Sequence, residues 1–504
     1  MKHLKKILSL LLTAVMVLAM CIPVMATEGT ATTTYTITAP ATTHQYEIYQ
    51  IFTGNLDSEG KLSNIKWGIN GNKPTDASVG TSVAKSVIDE LTAVNGKSDK
   101  EKLAVIKKYA VLSNPVATIS NGATYSADAG YYLVKDKDGS LEGTAETYTT
   151  YLVNVVGNLT IEPKSEAPSF EKKLKDINDT TDDNYTNWQD AADYDIGDDI
   201  PFKLEGTVAG DYEEYSHYYF AFHDVEEKGL TFKPETLEVY IDTTKITSGY
   251  TLVTKNSGSI KDGCTFEVIF NDLKKIDSVS AGSKIRVEYK STLNAQADLG
   301  NKGNVNKAKL VFSNNPNSDQ VGKPDKPGET PWDNVIVFTY KVVIDKVKED
   351  GKTSLEGAEF TLSKVLKDGS EKAIAVVKNT EGTKFTFSGL DDGNYILRET
   401  KTPEGYNTIS DITFKVTADH KIEWTKEERT KILTGLTGNK VSGEIEFTPS
   451  IKDGSLSAKV VNVSGSTLPS TGGIGTTIFY VVGVVLMLGA GVLLITKRRM
   501  SAKH

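Results

Sequence analysis

Apolar and polar residues alternate along much of this 504-residue chain. Segments such as Thr265–Phe270 and Ile285–Tyr289 show the period of two that is typical of strands with one buried face. Asp-Gly, Asn-Gly and Gly-Asn pairs separate these segments and favour tight turns. The pattern therefore predicts a mainly β protein built from β-sandwiches.

One region departs from this alternation. Val83, Val87 and Leu91 recur at helical spacing within residues 82–94, and Leu103 and Ile106 do the same within residues 101–112. We interpret these two stretches as a small helical insertion between strands of the first domain.

The N-terminus has the pattern of a secretory signal peptide. Three lysines precede an apolar run at residues 7–20, and small residues around Ala26 provide a cleavage site. We expect residues 1–26 to be removed during export.

The C-terminus carries a second apolar run, Ile478–Ile495, which is followed by Lys497, Arg498 and Arg499. As a helix it would be roughly 27 Å long, which suffices to cross a hydrocarbon core. The basic cluster behind it predicts a cytoplasmic tail, with the rest of the chain outside the membrane.

Charge and cysteine content agree with an exported protein. The formal net charge is −9, and both ends carry basic residues without acids, so residues 27–471 are more acidic still. Such a surface does not suit nucleic acid as a partner. Cys21 lies in the signal peptide, which leaves Cys264 alone and rules out an internal disulfide.

The length of the exported part, residues 27–471, suits about three domains. We place an N-terminal domain at 27–166, a middle domain at 167–331 and a C-terminal domain at 332–465, and we assign 466–504 to the C-terminal signal. The middle domain ends in Gly322–Pro331, where three prolines predict a stiff, extended linker.

The pentapeptide Leu468-Pro469-Ser470-Thr471-Gly472 stands before the apolar span and the basic tail. This ordered set resembles the cell-wall sorting signal (LPxTG) of Gram-positive surface proteins. The resemblance implies that a sortase cleaves between Thr471 and Gly472 and transfers the threonine carbonyl to an amine.

The domains extend this resemblance over nearly the whole chain. Residues 44–52 and 62–68 resemble the N-terminal domain of sortase-assembled major pilins. Tyr395–Tyr406 matches the E-box Y-x-L-x-E-T-x-A-P-x-G-Y of CnaB-type immunoglobulin-like domains, except that Thr402 replaces Ala. The chain is therefore similar to the backbone subunits of Gram-positive fimbriae, with tandem immunoglobulin-like sandwiches.

This resemblance implies a structural protein that is not an enzyme, needs no cofactor and is attached to the cell wall. Its expected partners are a sortase, identical pilin subunits, the peptidoglycan precursor, and minor or tip pilins.

In CnaB domains a lysine of the first strand forms an isopeptide bond with an asparagine of the last strand, promoted by an acid. Carried onto the C-terminal domain, the resemblance implies Lys346, Asn462 and Glu399 in these roles. Periodicity alone does not place Lys346 inside the domain, because Val343 and Val347 lie on the opposite face.

In the middle domain the corresponding residues are Lys172, Asn306 and Asp224. Lys172 shares its face with the apolar Phe170 and Leu174, which favours burial. Lys173 and Asn304 remain alternatives for the lysine and the asparagine.

Burial favours the neutral, nucleophilic form of a lysine and the protonated form of an acid. Those are the forms that would let the amine attack an asparagine and the acid pass on a proton as ammonia leaves. Ordinary strand residues facing water are the competing explanation for each position taken singly.

Lys164 is the candidate amine for joining subunits. Pilins of this family carry a lysine in a motif of the type W-x3-V-x-V-Y-P-K. Pro163 and Lys164 match the motif, but Val155 and Glu162 replace its Trp and Tyr.

Two other classes of function compete with this interpretation. A monomeric wall-anchored adhesin that binds a host protein or glycan shares every feature except a working Lys164. A surface enzyme would need a catalytic constellation, and neither metal-ligand spacing of histidines nor a phosphate-binding loop is present. The acidic run Asp176–Asp183 lacks the spacing of a calcium loop, so we expect solvated turns there.

Overall fold

The computed structural model describes residues 34–97, 99–163, 166–255, 258, 260, 262–420 and 433–465, together with 482–484, 486–488 and 490. The described part is mainly β, as the alternation predicts. The signal peptide, Lys164 and the pentapeptide 468–472 lie outside the described residues, and so does most of the predicted span. Within the described residues, no helix has the length and apolar character needed to cross a membrane.

The N-terminal region combines two sheets with the predicted helical insertion. Its elements in chain order are β1 Thr34–Thr38, β2 Gln45–Leu56, β3 Leu62–Trp67, α1 Lys85–Ala93, α2 Asp99–Lys108, β4 Ala117–Ser120, β5 Thr124–Asp128, β6 Gly130–Asp136, β7 Thr150–Val155 and β8 Leu159–Thr160. The strand orders are β5-β1-β8 and β3-β2-β6-β7, with β4 also paired to β2. Apolar residues of α1 and α2 pack against a core around Trp67 and Phe52, so the helices cover one end of the larger sheet.

The middle region is a sandwich of two sheets. Its strands are β9 Ser169–Leu174, β10 Ala191–Asp193, β11 Asp199–Thr207, β12 Phe220–Glu226, β13 Leu230–Ile241, β14 Thr244–Ile246, β15 Thr251–Thr254, β16 Phe266–Phe270, β17 Lys284–Leu293, β18 Asn304–Phe312, β19 Gly328–Glu329 and β20 Asp333–Phe338. One sheet has the order β14-β13-β17-β11-β9, and the other has the order β10-β20-β18-β12-β16-β15, with β19 beside β18. Short 3₁₀ turns at Tyr212–Glu214 and Leu273–Lys275 complete the region.

The C-terminal region is a second sandwich. Its strands are β21 Tyr340–Lys348, β22 Glu359–Val365, β23 Glu371–Ile374, β24 Val376–Lys378, β25 Lys384–Leu390, β26 Gly393–Lys401, β27 Ile412–His420, β28 Leu433–Ser442, β29 Phe447–Ser450 and β30 Ser455–Asn462. The two sheets have the orders β24-β25-β21-β30-β29 and β23-β22-β26-β27-β28. β21 and β30 are parallel neighbours, so the first and last strands of this sandwich lie side by side.

The proline-rich segment, Gly322–Pro331, packs against the rest of the protein. Gly328 and Glu329 pair with β18. The amide of Gly143, in the N-terminal region, donates a hydrogen bond of 3.0 Å to the carbonyl of Pro327. The segment is extended, as predicted, but it is packed against two regions of the molecule.

Strand β20 belongs to both sandwiches. It pairs with β18 of the middle sheet. Val335 and Val337 enter the core of the middle sandwich, whereas Ile336 and Phe338 enter that of the C-terminal sandwich. Because successive residues of a strand face opposite sides, this one strand contributes side chains to two cores.

Candidate functional site: two buried lysine–acid–asparagine clusters

The middle sandwich brings Lys172, Asp224 and Asn306 together in its interior. Lys172 lies on β9, in one sheet, while Asp224 and Asn306 lie on the neighbouring strands β12 and β18 of the other sheet. All three residues are fully buried, with 0% of their surface exposed. A lysine and an asparagine thus meet across the space between the two sheets.

A tyrosine that the sequence analysis did not identify joins this cluster. The Tyr289 hydroxyl, on β17, accepts a hydrogen bond of 2.7 Å from Lys172 Nζ and another of 2.9 Å from Asn306 Nδ2, and donates one of 2.9 Å to Asp224 Oδ2. Lys172 Nζ also contacts Asp224 Oδ2 directly. Tyr289 therefore holds the amine, the acid and the amide around one oxygen atom.

Burial sets the protonation of this cluster. Desolvation lowers the pKa of Lys172, although the neighbouring Asp224 acts in the opposite direction. Desolvation raises the pKa of Asp224. A second acid, Glu226, lies within 3.4 Å of Asn306 Nδ2, and burial together with Asp224 raises its pKa to about 8. The environment therefore favours a neutral amine beside neutral acids.

The two alternatives for this cluster lie elsewhere. Lys173 points out of the core and forms an ion pair of 2.6 Å with Asp190. The side chain of Asn304 is occupied by backbone groups, accepting from the amide of Asp298 at 2.8 Å and donating to the carbonyl of Val337 at 3.2 Å. The structure brings neither of them to Asp224.

The C-terminal sandwich assembles Lys346, Asn462 and Glu399. Lys346 and Asn462 lie on the adjacent parallel strands β21 and β30, and Glu399 lies on β26 of the opposite sheet. Lys346 and Asn462 are fully buried, and Glu399 is 8% exposed. Here the lysine and the asparagine belong to one sheet, whereas in the middle sandwich they belong to two.

The contacts align the reacting groups in the order that amide transfer requires. Lys346 Nζ donates to Asn462 Oδ1, and also to the carbonyl of Val460 at 3.0 Å. Asn462 Nδ2 donates to Glu399 Oε2 at 3.1 Å. The amine is therefore on the carbonyl side of the amide, and the acid is beside the nitrogen that would leave. Desolvation lowers the pKa of Lys346 to about 8, which increases the neutral amine fraction near neutral pH.

The alternation over the whole of strand β21 predicts that the side chain of Lys346 faces the core. Tyr340, Val342 and Ile344 alternate along β21 and are buried, and Lys346 is the next residue on the same face. The shorter stretch from Val342 onward is ambiguous, because Val343 and Val347 lie on the opposite face. No comparable signal identifies Tyr289, because it is one of many aromatic residues at an inward strand position.

The candidate residues for joining subunits lie outside the described residues. For Lys164, the structure shows only its surroundings, in which Glu162 and Glu166 on either side are exposed. Thr471 and the rest of the pentapeptide stay sequence predictions.

The expectation of solvated turns at Asp176–Asp183 is wrong for the first half of that run. Asn178 Nδ2 donates to Asp392 Oδ1 of the C-terminal sandwich at 2.7 Å. Asp179 forms an ion pair with the buried Lys364. Burial and the neighbouring Asp392 raise the pKa of Asp176 to about 7. The run lies at the contact between the two sandwiches, which its composition does not reveal.

Three groups of side chains bring together possible metal ligands among the described residues. Two consist of aspartates alone, at the contact between the sandwiches. The third is mixed and contains His223, Asp262, Cys264 and Glu267. These four residues are not arranged at a recognised ligand spacing, so the sequence predicted no metal site there.

Comparisons with known proteins agree with this architecture. A family profile described as a prealbumin-like fold domain matches residues 340–430, the segment that contains Lys346 and Glu399. A second profile, the LPXTG cell wall anchor motif, matches residues 461–501.

Relatives match over longer stretches. The trypsin-resistant surface T6 protein of Streptococcus pyogenes serotype M6 is 26% identical over 392 residues, covering 67% of this chain and 70% of that protein. The fimbrial subunit type 1 of Actinomyces viscosus is 26% identical over 305 residues, covering 51% of this chain and 52% of that protein. The pilus tip adhesin Cpa of S. pyogenes is 36% identical, but over only 21% of this chain and 15% of its own.

The solved structure of the T6 backbone pilin, described as a modular three-domain structure, covers 86% of this chain and 99% of its own, with a TM-score of 0.51 and 21% identity. That likeness extends the shared fold over all three regions. The two profile matches and the T6 relative make this chain similar to the major pilins of the sortase-assembled Gram-positive type, which are structural proteins attached to the cell wall.

Proposed function

We propose that this chain is the repeating shaft subunit of a covalent pilus, in which a sortase joins Thr471 of one subunit to Lys164 of the next. The anchor profile over residues 461–501 supports Thr471 as the acyl donor. The match to the T6 protein over two thirds of the chain supports a backbone role. The observation that carries the proposal is the pair of buried lysine–acid–asparagine clusters, one in each sandwich, which suits a subunit built to bear tension.

Each cluster forms one intramolecular isopeptide bond. The neutral lysine Nζ attacks Cγ of the asparagine, and the new C–N bond replaces the bond to Nδ2, which leaves as ammonia. The acid gives a proton to the leaving nitrogen and takes one from the attacking amine, so atoms and charge balance. Each acid ends in its starting state after a single turnover, consistent with a protein that is not an enzyme.

The two bonds protect against tension in different ways. A folded domain is stable by only about 5–15 kcal/mol, so sustained force can unfold it. The Lys346–Asn462 bond connects the first and last strands of the C-terminal sandwich directly, and force entering one strand passes to the other. The Lys172–Asn306 bond connects the two sheets of the middle sandwich, which prevents their separation.

Lys164 acts as the amine between subunits. Its neighbours Glu162 and Glu166 are exposed, which supports an amine that a sortase can reach. An amine must be deprotonated to attack an acyl enzyme, whereas a guanidinium stays protonated at any relevant pH. Lys164→Arg therefore keeps the charge and removes the nucleophile.

The test is a denaturing gel of boiled cell-wall extract, blotted for this protein in cells that contain the assembling sortase. Wild type should give a ladder of covalent multimers, and Lys164→Arg should give a single band that is still attached to the wall. Thr471→Ala should abolish both polymer and wall attachment. Lys173→Arg is the matched control, because Lys173 is the partly exposed lysine nearest to Lys164 among the described residues. This variant should give a normal ladder.

Two results would contradict the proposal. A ladder that survives Lys164→Arg but disappears in Lys173→Arg would move the joining amine to Lys173; Lys172 is excluded from this role by its complete burial. A single band in wild type would instead favour a monomeric wall-anchored adhesin.

A further inference from the structure

A cluster of four possible metal ligands lies on the middle sandwich, on the face of its sheet opposite Asp224. His223 on β12 and Glu267 on β16 are directly opposite each other in the antiparallel ladder, so two paired strands fix their relative position. Asp262 and Cys264 lie on the turn that leads into β16. His223 and Cys264 are each 1% exposed, whereas Asp262 is exposed to solvent.

The distances between the donor atoms fit one small ion. His223 Nδ1 is 3.6 Å from Cys264 Sγ and 3.4 Å from Glu267 Oε1. A tetrahedral zinc ion with ordinary bond lengths places a nitrogen about 3.5 Å from a sulfur and about 3.4 Å from an oxygen. Asp262 Oδ2 is closer, at 2.6 Å from the same nitrogen, and all four donor atoms lie within 4.8 Å of one another. A shift of this one exposed side chain by about 1 Å completes a tetrahedron.

The chemistry of the donors selects the ion. We propose that His223, Asp262, Cys264 and Glu267 bind one zinc ion, which clips the turn before β16 to strand β12. Sulfur and imidazole are ligands of zinc and related transition metals, whereas calcium takes oxygen ligands in larger number. Binding forms a Zn–S bond as the Cys264 thiol releases its proton to solvent.

The histidine is suited to this role. His223 Nε2 is buried and has no hydrogen-bond partner among the described residues. Burial disfavours the charge of a doubly protonated ring, so the neutral ring is favoured. Neutral imidazole is the form that binds metals. The site also accounts for a buried cysteine in an exported chain that has no partner for a disulfide.

The test uses the purified mature chain, residues 27–471, stripped with a chelator and titrated with zinc alone. We expect one tightly bound zinc per chain by elemental analysis and a higher melting temperature of the middle sandwich. Cobalt added in place of zinc should give the absorption bands of tetrahedral coordination together with a thiolate-to-cobalt charge-transfer band. Cys264→Ser should remove the charge-transfer band and weaken zinc binding at least tenfold.

Glu267→Gln provides a milder second variant, and it should weaken zinc binding while leaving the fold intact. His217→Ala is the matched control, because His217 also contacts an aspartate, Asp272 at 2.8 Å, but belongs to no group of possible metal ligands among the described residues. Zinc affinity should be unchanged in that control. Absence of stoichiometric zinc, cobalt spectra without a thiolate band, or equal affinity in wild type and Cys264→Ser would each overturn the proposal.

Discussion

Replacing Glu399 by glutamine tests the crosslink of the C-terminal sandwich with little change in packing. Glutamine keeps the size of the side chain and an oxygen that can accept from Asn462 Nδ2. It cannot transfer the proton that must leave the Lys346 amine and reach the departing ammonia. We expect Glu399→Gln to fold without the Lys346–Asn462 bond.

The loss of stability can be worked out from the loop that the bond closes. Lys346 and Asn462 are 116 residues apart in sequence. On the loop-entropy model, a crosslink over a loop of this size lowers the conformational entropy of the unfolded chain. The free energy of the unfolded state rises by about 5 kcal/mol at 25 °C, which stabilises the folded state by the same amount. For a domain of this length, that loss corresponds to a melting temperature lower by about 20 °C.

Two measurements on the same purified samples check this reasoning. Intact mass spectrometry should find wild type lighter than its sequence mass by two ammonia molecules, and Glu399→Gln lighter by one. Calorimetry should then show the C-terminal transition of the variant at lower temperature. Glu404→Gln is the matched control, since Glu404 is exposed on the following turn, and it should behave like wild type in both measurements.

A wild-type mass equal to the sequence mass would refute both crosslinks at once. A variant that keeps the mass of the crosslinked protein would show that Glu399 does not promote the bond. A variant that loses the bond but melts like wild type would instead refute the loop-entropy estimate.

Two further predictions concern the same clusters. Tyr289→Phe removes the hydroxyl that contacts Lys172 and Asn306, so mass spectrometry should find a fraction of molecules that retain one more ammonia than wild type; complete crosslinking would limit Tyr289 to packing. In Asn462→Ala the Lys346 amine stays unreacted, with its pKa lowered from 10.5 to about 8 in the folded state. The unfolded state then binds more protons between these values, so stability in denaturant titrations should rise from pH 8 to pH 10 more steeply than in wild type. Equal slopes would contradict the burial of that amine.

The sequence predicted the class of fold because strand alternation and turn residues are local signals. It also indicated the lysine, acid and asparagine of each cluster, but through resemblance and order along the chain. The choice of Lys172 over Lys173 was favoured by alternation, because a one-residue shift moves a side chain to the other face. Alternation does not favour Asn306 over Asn304, because both residues lie on the same face of β18. Only the strand pairing distinguishes them.

Tyr289 and the mixed ligand group around Cys264 could not be predicted, for a different reason. Their partners are distant in sequence, and neither a lone tyrosine on an alternating strand nor a histidine 41 residues from a cysteine has a recognisable spacing. The prediction of solvated turns in the acidic run before Asp183 was wrong for a similar reason, since the burial of that run depends on the neighbouring sandwich. Tertiary contacts between regions decide these features, and periodicity carries no information about them.

The strand shared by the two sandwiches has a consequence for the shape of a fibre. Val335 and Val337 are anchored in one core and Ile336 and Phe338 in the other. Bending at this joint would pull large apolar side chains out of a core, at a cost of about 1.5–3 kcal/mol for each. We therefore expect the middle and C-terminal sandwiches to tilt as one stiff rod, and the flexing of a pilus to occur mainly where one subunit meets the next.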